Sequence, residues 1–339
     1  MTTRLSPAQL SIRKRELTES FRRIIDYAES EYAQAIIISG DLFDSARISV
    51  KTLDSLMGII EKSDRIEFFY LPGNHEGDVL RKSGVRIPEN LKIFGEEWTS
   101  FHIGNAVVSG RSTTSPDMFK NLTLDENAVN IVALHGELVD RSANDDKIGL
   151  KDAEGLPIDY LALGHYHSYS KTEAARGVAV YSGTPEGRGF DETGEKGFVE
   201  INLEGKELSH RFIPSAMRKL RIVEVDISGA MREIEIENRV AFALSNIPRE
   251  DLVRVVLVGK HEPGIRRETE ALCERFKSSF FFLEIKDSSK IRISMDDYKH
   301  DISLKGEFIR TVLASETVSD EEKEAIIELG LRALAGETL

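Results

Sequence analysis

Four short motifs contain residue types that hold divalent metal ions, and each one begins where a buried strand is predicted to end. They are Gly40-Asp41-Leu42-Phe43-Asp44, Gly73-Asn74-His75-Glu76, His135-Gly136 and Gly164-His165-Tyr166-His167. Because the carboxyl ends of strands are where α/β proteins assemble their sites, we expect these side chains to converge. One carboxylate, one amide and several imidazoles, without sulfur, suit Mn²⁺, Fe²⁺ or Zn²⁺ better than Ca²⁺. The sequence therefore predicts a metal site.

Each motif alone has an ordinary structural explanation. Asp41 can cap a helix, Asn74 can be a turn residue, and His135 can be a satisfied core histidine. His165 and His167 carry more weight as a pair, because residues two apart at a strand end converge once the chain turns. Four of the eight histidines fall in these motifs, which favours one shared site over unrelated structural roles.

The elements that position the motifs alternate between helix and strand, which is typical of a layered α/β domain. Hydrophobic periodicity predicts a helix over 15–30, a strand buried on both faces over 35–39, a helix over 48–60 and a strand over 66–71. Further strands are predicted over 91–94, 106–109, 130–134, 160–163, 178–181 and 198–203. Since this later stretch has few helices, we expect a mixed or doubled sheet.

The pattern breaks near residue 213 and then restarts. A β-α-β-α-β series over 220–285 has the size of a small α+β domain, and two amphipathic helices follow within 303–339. We therefore expect three domains, over 1–213, 214–300 and 301–339.

Composition narrows the class of protein. The 339 residues contain 45 Lys and Arg against 58 Asp and Glu, a formal net charge of −13, which argues against a chain that coats nucleic acid by bulk charge. The single cysteine, Cys273, excludes an intramolecular disulfide and a cysteine-rich zinc site. The sequence shows neither a signal peptide nor an apolar run long enough for a membrane span. We expect a cytoplasmic protein without a membrane partner.

The series of motifs resembles the signature of the calcineurin-like metallophosphoesterases. Within that superfamily, segments 40–44, 71–75, 159–167 and 181–190 are most similar to SbcD-type DNA repair exonucleases. The resemblance covers most of 12–212 and is fainter at 303–310. It implies a sandwich of two mixed sheets flanked by helices, a small DNA-capping α+β domain and a helical tail. The implied function is the nuclease subunit of an SbcCD-type complex for DNA double-strand break repair.

The resemblance also implies roles for individual residues. It assigns two divalent ions, with Mn²⁺ as the expected metal, and the ligands Asp41, Asn74, His135, His165 and His167. Asp41 would bridge the two ions and His167 would bind the second of them, while the other three ligands complete the shell of the first. His75 would not be a ligand; it would contact the scissile phosphate and help to protonate the leaving oxygen.

One part of the family pattern is absent. The first motif, Asp-x-His at the end of the first strand, should precede the helix at 15–30, but the first aspartate is Asp26 and the first histidine is His75. Either the chain as given starts too late or it is an inactive relative, and the intact remaining motifs favour the late start. We expect feeble or no nuclease activity with Mn²⁺, restored by the upstream strand.

Substrate and partners are predicted from the remaining features. The basic residues expected to contact DNA are Arg13, Arg15, Arg188, Arg218 and Lys219, with solvated surface charges as the alternative. The C-terminal helices either pack on the chain's own small domain or bind an SbcC-type coiled-coil ABC ATPase. A homodimer stays open. The alternative functions are another metallophosphoesterase, acting as a phosphatase or small-molecule phosphodiesterase, or an impaired scaffold that binds DNA and the ATPase.

Overall fold

A computed structural model describes residues 5–43, 47–73, 76–77, 79–261, 265, 267–292 and 295–334. The chain divides into two compact units, Met1–Lys219 and Leu220–Leu339. Among the described residues, none of the helices combines the length and apolar character that a membrane crossing requires.

A three-stranded parallel sheet opens the first unit. It is formed by β1 (Ala35–Ser39), β2 (Glu67–Leu71) and β3 (Leu91–Ile93), which lie side by side in that order. The helices of this region are α1 (Pro7–Ser30), α2 (Val50–Lys62) and α3 (Val79–Lys82). The helix α1 begins about two turns before the predicted start, because Ser6 and Gln9 form a capping box and Pro7 occupies the first helical position.

A six-stranded mixed sheet packs against this first sheet. Its strands are β4 (Thr99–Ile103), β5 (Ala106–Gly110), β6 (Val129–His135), β9 (Tyr160–Gly164), β10 (Ser170–Ala174) and β11 (Gly177–Tyr181). They lie in the order β10-β11-β9-β6-β5-β4. The four inner strands are parallel and the two outer strands are antiparallel to their neighbours. Between the sheets, Phe69 and Leu71 pack in one core with Ile131 and Ala162. The predicted layered α/β sandwich is confirmed.

Two smaller pairs of strands complete the first unit. The strands β7 (Glu137–Val139) and β8 (Lys147–Gly149) pair in parallel beyond the end of β6, and β12 (Gly197–Glu204) and β13 (Glu207–Pro214) form an antiparallel hairpin. The hairpin reaches α1, where the ring of Phe198 packs edge-on against Tyr27.

The burial of β1 differs from the prediction. Both of its faces are packed, with Ile37 facing the core between the sheets and Ile36 facing the helices, yet all five residues are only partly buried. The physical reason is its place in the sheet: among the described strands, β1 pairs with β2 alone.

The second unit is built on a three-stranded parallel sheet. The strands of the second unit are β14 (Leu220–Asp226), β15 (Leu252–Val258), β16 (Lys260–His261), β17 (Phe282–Asp287) and β18 (Lys290–Ile291). The sheet has the order β14-β15-β17, while β16 and β18 form a separate short pair. Its helices are α4 (Glu233–Leu244), α5 (Thr269–Phe276), α6 (Met295–Tyr298), α7 (Leu304–Leu313) and α8 (Asp320–Leu334).

The C-terminal helices belong to this second unit. Phe308 of α7 packs so closely on Gly330 of α8 that a Cβ at Gly330 would lie 2.1 Å from the ring. An ion pair between Arg267 and Glu328 ties α8 to the rest of the unit. Residues 214–219 cluster with the first unit instead. The separate roles of a DNA-capping domain and a partner-binding tail stay predictions.

Candidate metal centre

The carboxyl ends of β1, β6 and β9 meet at one point of the first unit. A Cβ at Gly164, the last residue of β9, would lie 1.7 Å from the carbonyl oxygen of Ser39, the last residue of β1. His135 ends β6 and pairs with Gly164 across the sheet. The sequence-predicted residues Asp41, His135 and His165 are thereby brought together.

Asp41 lies in a turn that glycine makes possible. Gly40 has φ +91° and Asp41 has φ +51°, so the backbone stays left-handed over two residues. A Cβ at Gly40 would lie 2.2 Å from Nδ1 of His135, and a Cβ at Gly73 would lie 2.2 Å from Oδ1 of Asp41. These two glycines let the backbones of two loops close around the carboxylate. Its Oδ1 is buried and accepts no hydrogen bond from the described residues.

Glu76 holds those two loops together. Its buried carboxylate accepts hydrogen bonds from the backbone N–H groups of Leu42 (3.2 Å), Phe43 (2.8 Å) and Gly73 (3.0 Å). Burial raises the pKa of Glu76 above its ordinary value, against the opposing effect of these N–H donors. The sequence places Glu76 within its motif but indicates no role for it, because most of its partners are backbone atoms that are distant in sequence.

His135 has its tautomer fixed by the backbone. Its Nδ1 lies 2.9 Å from the carbonyl oxygen of Ser39, which can only accept, so Nδ1 carries a proton. Its Nε2 lies 3.3 Å from Oδ2 of Asp41. A metal cation between Nε2 and this carboxylate would be attracted by both atoms.

His165 packs edge-on against His135, with ring centroids 5.5 Å apart. Its φ of +110° is a strained conformation for a residue with a side chain. Burial, together with the neighbouring His135, lowers the pKa of His165 and favours the neutral imidazole that can act as a metal ligand.

His167 is held by side chains. Its Nδ1 lies 2.7 Å from Oε1 of Glu192, its carbonyl oxygen accepts from the buried Lys196, and the Arg188 guanidinium lies against its ring. Burial lowers the pKa of Lys196, with smaller opposing contributions from nearby carboxylates. The sequence analysis did not single out Glu192 or Lys196, since carboxylates and lysines are common in loops.

Two predicted residues, Asn74 and His75, lie outside the described residues, so their predicted roles as ligand and general acid stay predictions. The segment around them is bounded by Gly73 and Glu76, both of which contact the loop of Asp41.

The predicted DNA-contacting residues have diverse positions. Arg13 is buried and donates to Glu16, to Glu186 and to the carbonyl oxygen of Gly187, an arrangement that leaves its guanidinium inaccessible to a phosphate. Arg218 pairs with Glu16. The contacts of Arg13 therefore indicate a structural role and not the predicted phosphate contact.

The remaining basic residues are more accessible. Arg15 is exposed on α1, Lys219 pairs with Glu195 at the surface, and Arg188 pairs with Glu192 beside His167. Of the five predicted residues, Arg188 is the one placed against a predicted metal ligand.

A divalent ion fits the chemistry of this site. Within the described ranges, no group of three or more His, Cys, Asp or Glu side chains is arranged, as the side chains stand, so that it could hold a metal ion. The fit rests on three other observations: the buried Oδ1 of Asp41, the enforced proton on Nδ1 of His135, which directs Nε2 at a carboxylate, and the neutral form favoured for His165. Asp41, His135 and His165 are the described residues that would hold such an ion.

The first unit is thus a sandwich of two β-sheets that brings an aspartate and two histidines together at its strand ends. Residues 16–192, more than half of the chain, match the calcineurin-like phosphoesterase family. The chain belongs to this family, whose members hydrolyse phosphoesters with divalent metal ions.

The curated relatives that the chain matches include DNA repair proteins. It is 27% identical over 272 residues to the uncharacterized metallophosphoesterase YhaO of Bacillus subtilis, covering 75% of this chain and 67% of that protein. It is 27% identical over 242 residues to the DNA double-strand break repair protein Mre11 of Methanosarcina acetivorans, covering 66% of this chain and 39% of that protein. It is 23% identical over 267 residues to the SbcD protein of the SbcCD nuclease of Staphylococcus epidermidis, covering 65% and 71%. The match thus spans less than half the length of the Methanosarcina protein.

Proposed function

We propose that this chain is the nuclease subunit of an SbcCD-type DNA double-strand break repair complex and hydrolyses DNA phosphodiesters with two Mn²⁺ ions. The observation that carries the proposal is the convergence of Asp41, His135 and His165 at one edge of the sandwich, with the tautomer of His135 fixed by Ser39. Relatives named for DNA repair and for a nuclease support the choice of DNA as substrate.

The residues act mainly by position. Asp41, Asn74, His135 and His165 would hold one ion, and Asp41 with His167 the other. Divalent ions in such a site supply Lewis acidity toward the phosphoryl group and lower the pKa of water. Arg188, which contacts the ring of His167, would orient a phosphate there, and His75 would donate a proton to the leaving oxygen.

An exposed aromatic ring favours a nucleic acid over a small phosphate ester. Tyr166 lies between the two histidines of its motif, and 45% of its surface is exposed. Its ring packs edge-on against His165 at 5.3 Å and against the buried Tyr181 at 4.9 Å, which holds it in place. A nucleobase next to the scissile phosphate can stack on such a ring.

The test compares substrates under one set of conditions. Wild-type protein and an Asp41→Asn variant are incubated with Mn²⁺ and an end-labelled DNA duplex, a closed circular DNA and a nitrophenyl phosphate ester. Because the sequence predicts a feeble rate, the variant defines the baseline. We expect release of label from duplex ends above that baseline. Faster turnover of the nitrophenyl ester, without preference for DNA ends, would support the phosphatase or small-molecule phosphodiesterase alternative.

A result without hydrolysis also discriminates. Retained binding of DNA by both proteins, with no product above the baseline of Asp41→Asn, would support the scaffold alternative. The matched control is Asp117→Asn, a substitution of an exposed aspartate that pairs with Lys120 at the surface. It should behave as wild type in every assay.

The proposed partner is an SbcC-type coiled-coil ABC ATPase, and the C-terminal helices support it. Ile309 and Ile327 are fully buried, whereas other apolar residues of the same region face solvent. The exposed set is Ile302, Leu304, Ile326, Leu329 and Leu334. One apolar stripe therefore packs internally while a second is accessible to a partner, a pattern that suits a helix-in-groove contact.

Point substitutions test this contact without removing the buried stripe. Leu304→Asp and Leu329→Asp should abolish co-purification with the ATPase while the protein stays folded. Phe242→Asp, on the exposed surface of α4, is the matched control and should co-purify. Unchanged co-purification of both tail variants would contradict this partner surface.

We place the complex in the cytoplasm at the nucleoid.

A further inference from the structure

The carboxylate of Glu192 collects hydrogen bonds from two residues that the proposed function uses. Glu192 lies in the loop between β11 and β12, and only 9% of its side chain is exposed. Its Oε1 lies 2.7 Å from Nδ1 of His167 and 3.2 Å from both Nε and Nη2 of Arg188. Its Oε2 accepts from the backbone N–H of Arg188 at 2.9 Å. One buried side chain thus contacts a predicted metal ligand and a predicted phosphate ligand.

The charge of Glu192 decides which atom of His167 holds the ring proton. Its carboxylate accepts from the backbone N–H of Arg188 at 2.9 Å and forms an ion pair with the Arg188 guanidinium at 3.2 Å, and both contacts stabilise the ionised form. An ionised carboxylate only accepts hydrogen bonds, so Nδ1 of His167 is the donor.

Arg188 offers the competing assignment. Its Nη2 lies 3.1 Å from Nδ1 and 3.4 Å from Nε2 of His167, and a guanidinium only donates. Nδ1 cannot donate to Glu192 and accept from Arg188 at once. The contact with the carboxylate is shorter by 0.4 Å (3.1 against 2.7 Å) and joins a donor to an anion, which makes it the stronger of the two.

We propose that Glu192 is a positioning residue, which fixes the Nδ1–H tautomer of His167 so that Nε2 is the ligating atom and keeps Arg188 beside the same ring. The role of His167 as a metal ligand rests on the proposed function, whereas the tautomer of its ring does not. Glu192 does for His167 what the carbonyl oxygen of Ser39 does for His135. Carboxylates that orient a ligating histidine in this way alter metal affinity, although they never touch the ion.

The direct test is the tautomer of His167 in metal-free protein, measured by ¹⁵N NMR of the histidine side chains. A His167→Asn spectrum assigns the signal. In the wild type we expect the Nδ1–H form, and in Glu192→Ala we expect that form to lose its dominance. Glu192→Gln keeps an oxygen acceptor with nearly the same shape, so it should retain much of the Nδ1–H form. A wild-type Nε2–H tautomer, or an unchanged tautomer in Glu192→Ala, would overturn the proposal.

The second readout is binding of Mn²⁺ alone, measured by calorimetry on the full chain. Loss of the Glu192 carboxylate should weaken the affinity about 10- to 100-fold in Glu192→Ala and less in Glu192→Gln. The control is Glu173→Gln, an exposed glutamate on β10, which should bind as wild type. An equal loss in the control, or no loss in Glu192→Ala, would contradict the positioning role.

The two measurements distinguish failure of the proposed function from failure of the positioning role of Glu192. In one outcome, the wild-type protein binds no Mn²⁺, while His167 has the Nδ1–H tautomer in wild type and loses it in Glu192→Ala. That outcome would refute the metal-dependent function and support the orientation of His167 by Glu192. Normal Mn²⁺ binding with a tautomer independent of Glu192 would do the opposite. Thermal unfolding of the metal-free variants establishes that each is folded before either measurement.

Discussion

The two halves of the candidate site are held by different parts of the polypeptide. Around Asp41 and His135 the partners are backbone atoms: the carbonyl oxygen of Ser39 and the N–H groups that Glu76 accepts from. Around His167 the partners are the side chains of Glu192, Arg188 and Lys196. A backbone hydrogen-bond partner remains when its residue is replaced by another type that fits, whereas a side-chain partner is lost with a single substitution.

The difference indicates where each half is sensitive. The Asp41 half depends on close approach of backbones, so added volume should damage it. The His167 half depends on charge and on the anchoring of the loop that carries Arg188, so loss of a charged group should damage it.

Arg13→Met should have the largest effect on stability. Arg13 is the buried cation between Glu16 and Glu186, and Glu186 lies two residues before Arg188 in the same loop. Removing the cation leaves two buried carboxylates with less compensation, which should lower the free energy of unfolding by about 3–5 kcal/mol. Urea unfolding followed by the fluorescence of Trp98 measures this. Arg15→Met, an exposed position on the same helix, should change it little; a similar loss in both variants would argue against the buried ion cluster.

Gly40→Ala should be next in size. The new methyl group meets Nδ1 of His135 at 2.2 Å, and φ +91° is unfavourable for alanine. We expect a loss of about 3 kcal/mol in the free energy of unfolding, together with weaker Mn²⁺ binding. Gly155→Ala is the matched control, because Gly155 has φ +81° and open space around its Cβ position. Its loss should stay near the conformational cost alone, about 1 kcal/mol; equal losses would show that the close approach to His135 is unimportant.

Tyr166→Ala should weaken the binding of single-stranded oligonucleotides in metal-free conditions. Loss of one stacked base costs about 1–3 kcal/mol, or roughly 5- to 150-fold in affinity. Fluorescence anisotropy with a normal and an abasic oligonucleotide measures it, and the variant should bind the two alike. Tyr166→Phe keeps the ring and should retain the preference for the oligonucleotide with bases. Equal binding of both oligonucleotides by the wild type would remove the support that Tyr166 gives to a nucleic-acid substrate.

The contributions of Glu76 and Glu192 to the free energy of unfolding should depend on pH with opposite signs. These are the smallest of the expected effects. The pKa of Glu76 is raised above the ordinary 4.5, so its wild-type side chain adds stability below pH 4.5 that is lost as the pH rises through the higher folded value. The pKa of Glu192 is lowered from 4.5, so its contribution is present above pH 4.5 and is lost as the pH falls through the lower folded value.

Urea unfolding of wild type, Glu76→Gln and Glu192→Gln between pH 7 and pH 3.5 measures these contributions. The advantage of wild type over Glu76→Gln should grow on acidification, and its advantage over Glu192→Gln should shrink. Parallel curves for the two variants would contradict the contrast between a carboxylate dominated by burial and one dominated by its hydrogen-bond donors and cationic partner.

The fold was predictable where strands are buried, because a buried strand shows a continuous apolar run in the sequence. The apolar run of β1 was predicted with the observed bounds, and that of β6 within one residue at each end. The outer strands β4 and β10 were missed, because exposed edge strands carry polar residues without a continuous apolar run.

The site was predictable only in part, for a related reason. The motifs identify Asp41, His135, His165 and His167 because histidine and Gly-Asp pairs at strand ends are unusual. Nothing local distinguishes Glu192 from other loop glutamates, since its role depends on partners 4 and 25 residues away. Charge also does not separate the buried Arg13 from a phosphate ligand, because burial follows from tertiary packing.

Glu186 has a mechanical consequence for the loop of Arg188. Besides Arg13, its carboxylate accepts from the hydroxyl of Ser20 on α1 and from the backbone N–H of Met217, next to the end of the first unit. A displacement of the chain at residue 217 would therefore reach the carboxylate two positions before Arg188 through one hydrogen bond. The proposed phosphate-binding arginine is thus linked mechanically to the exit of its own domain.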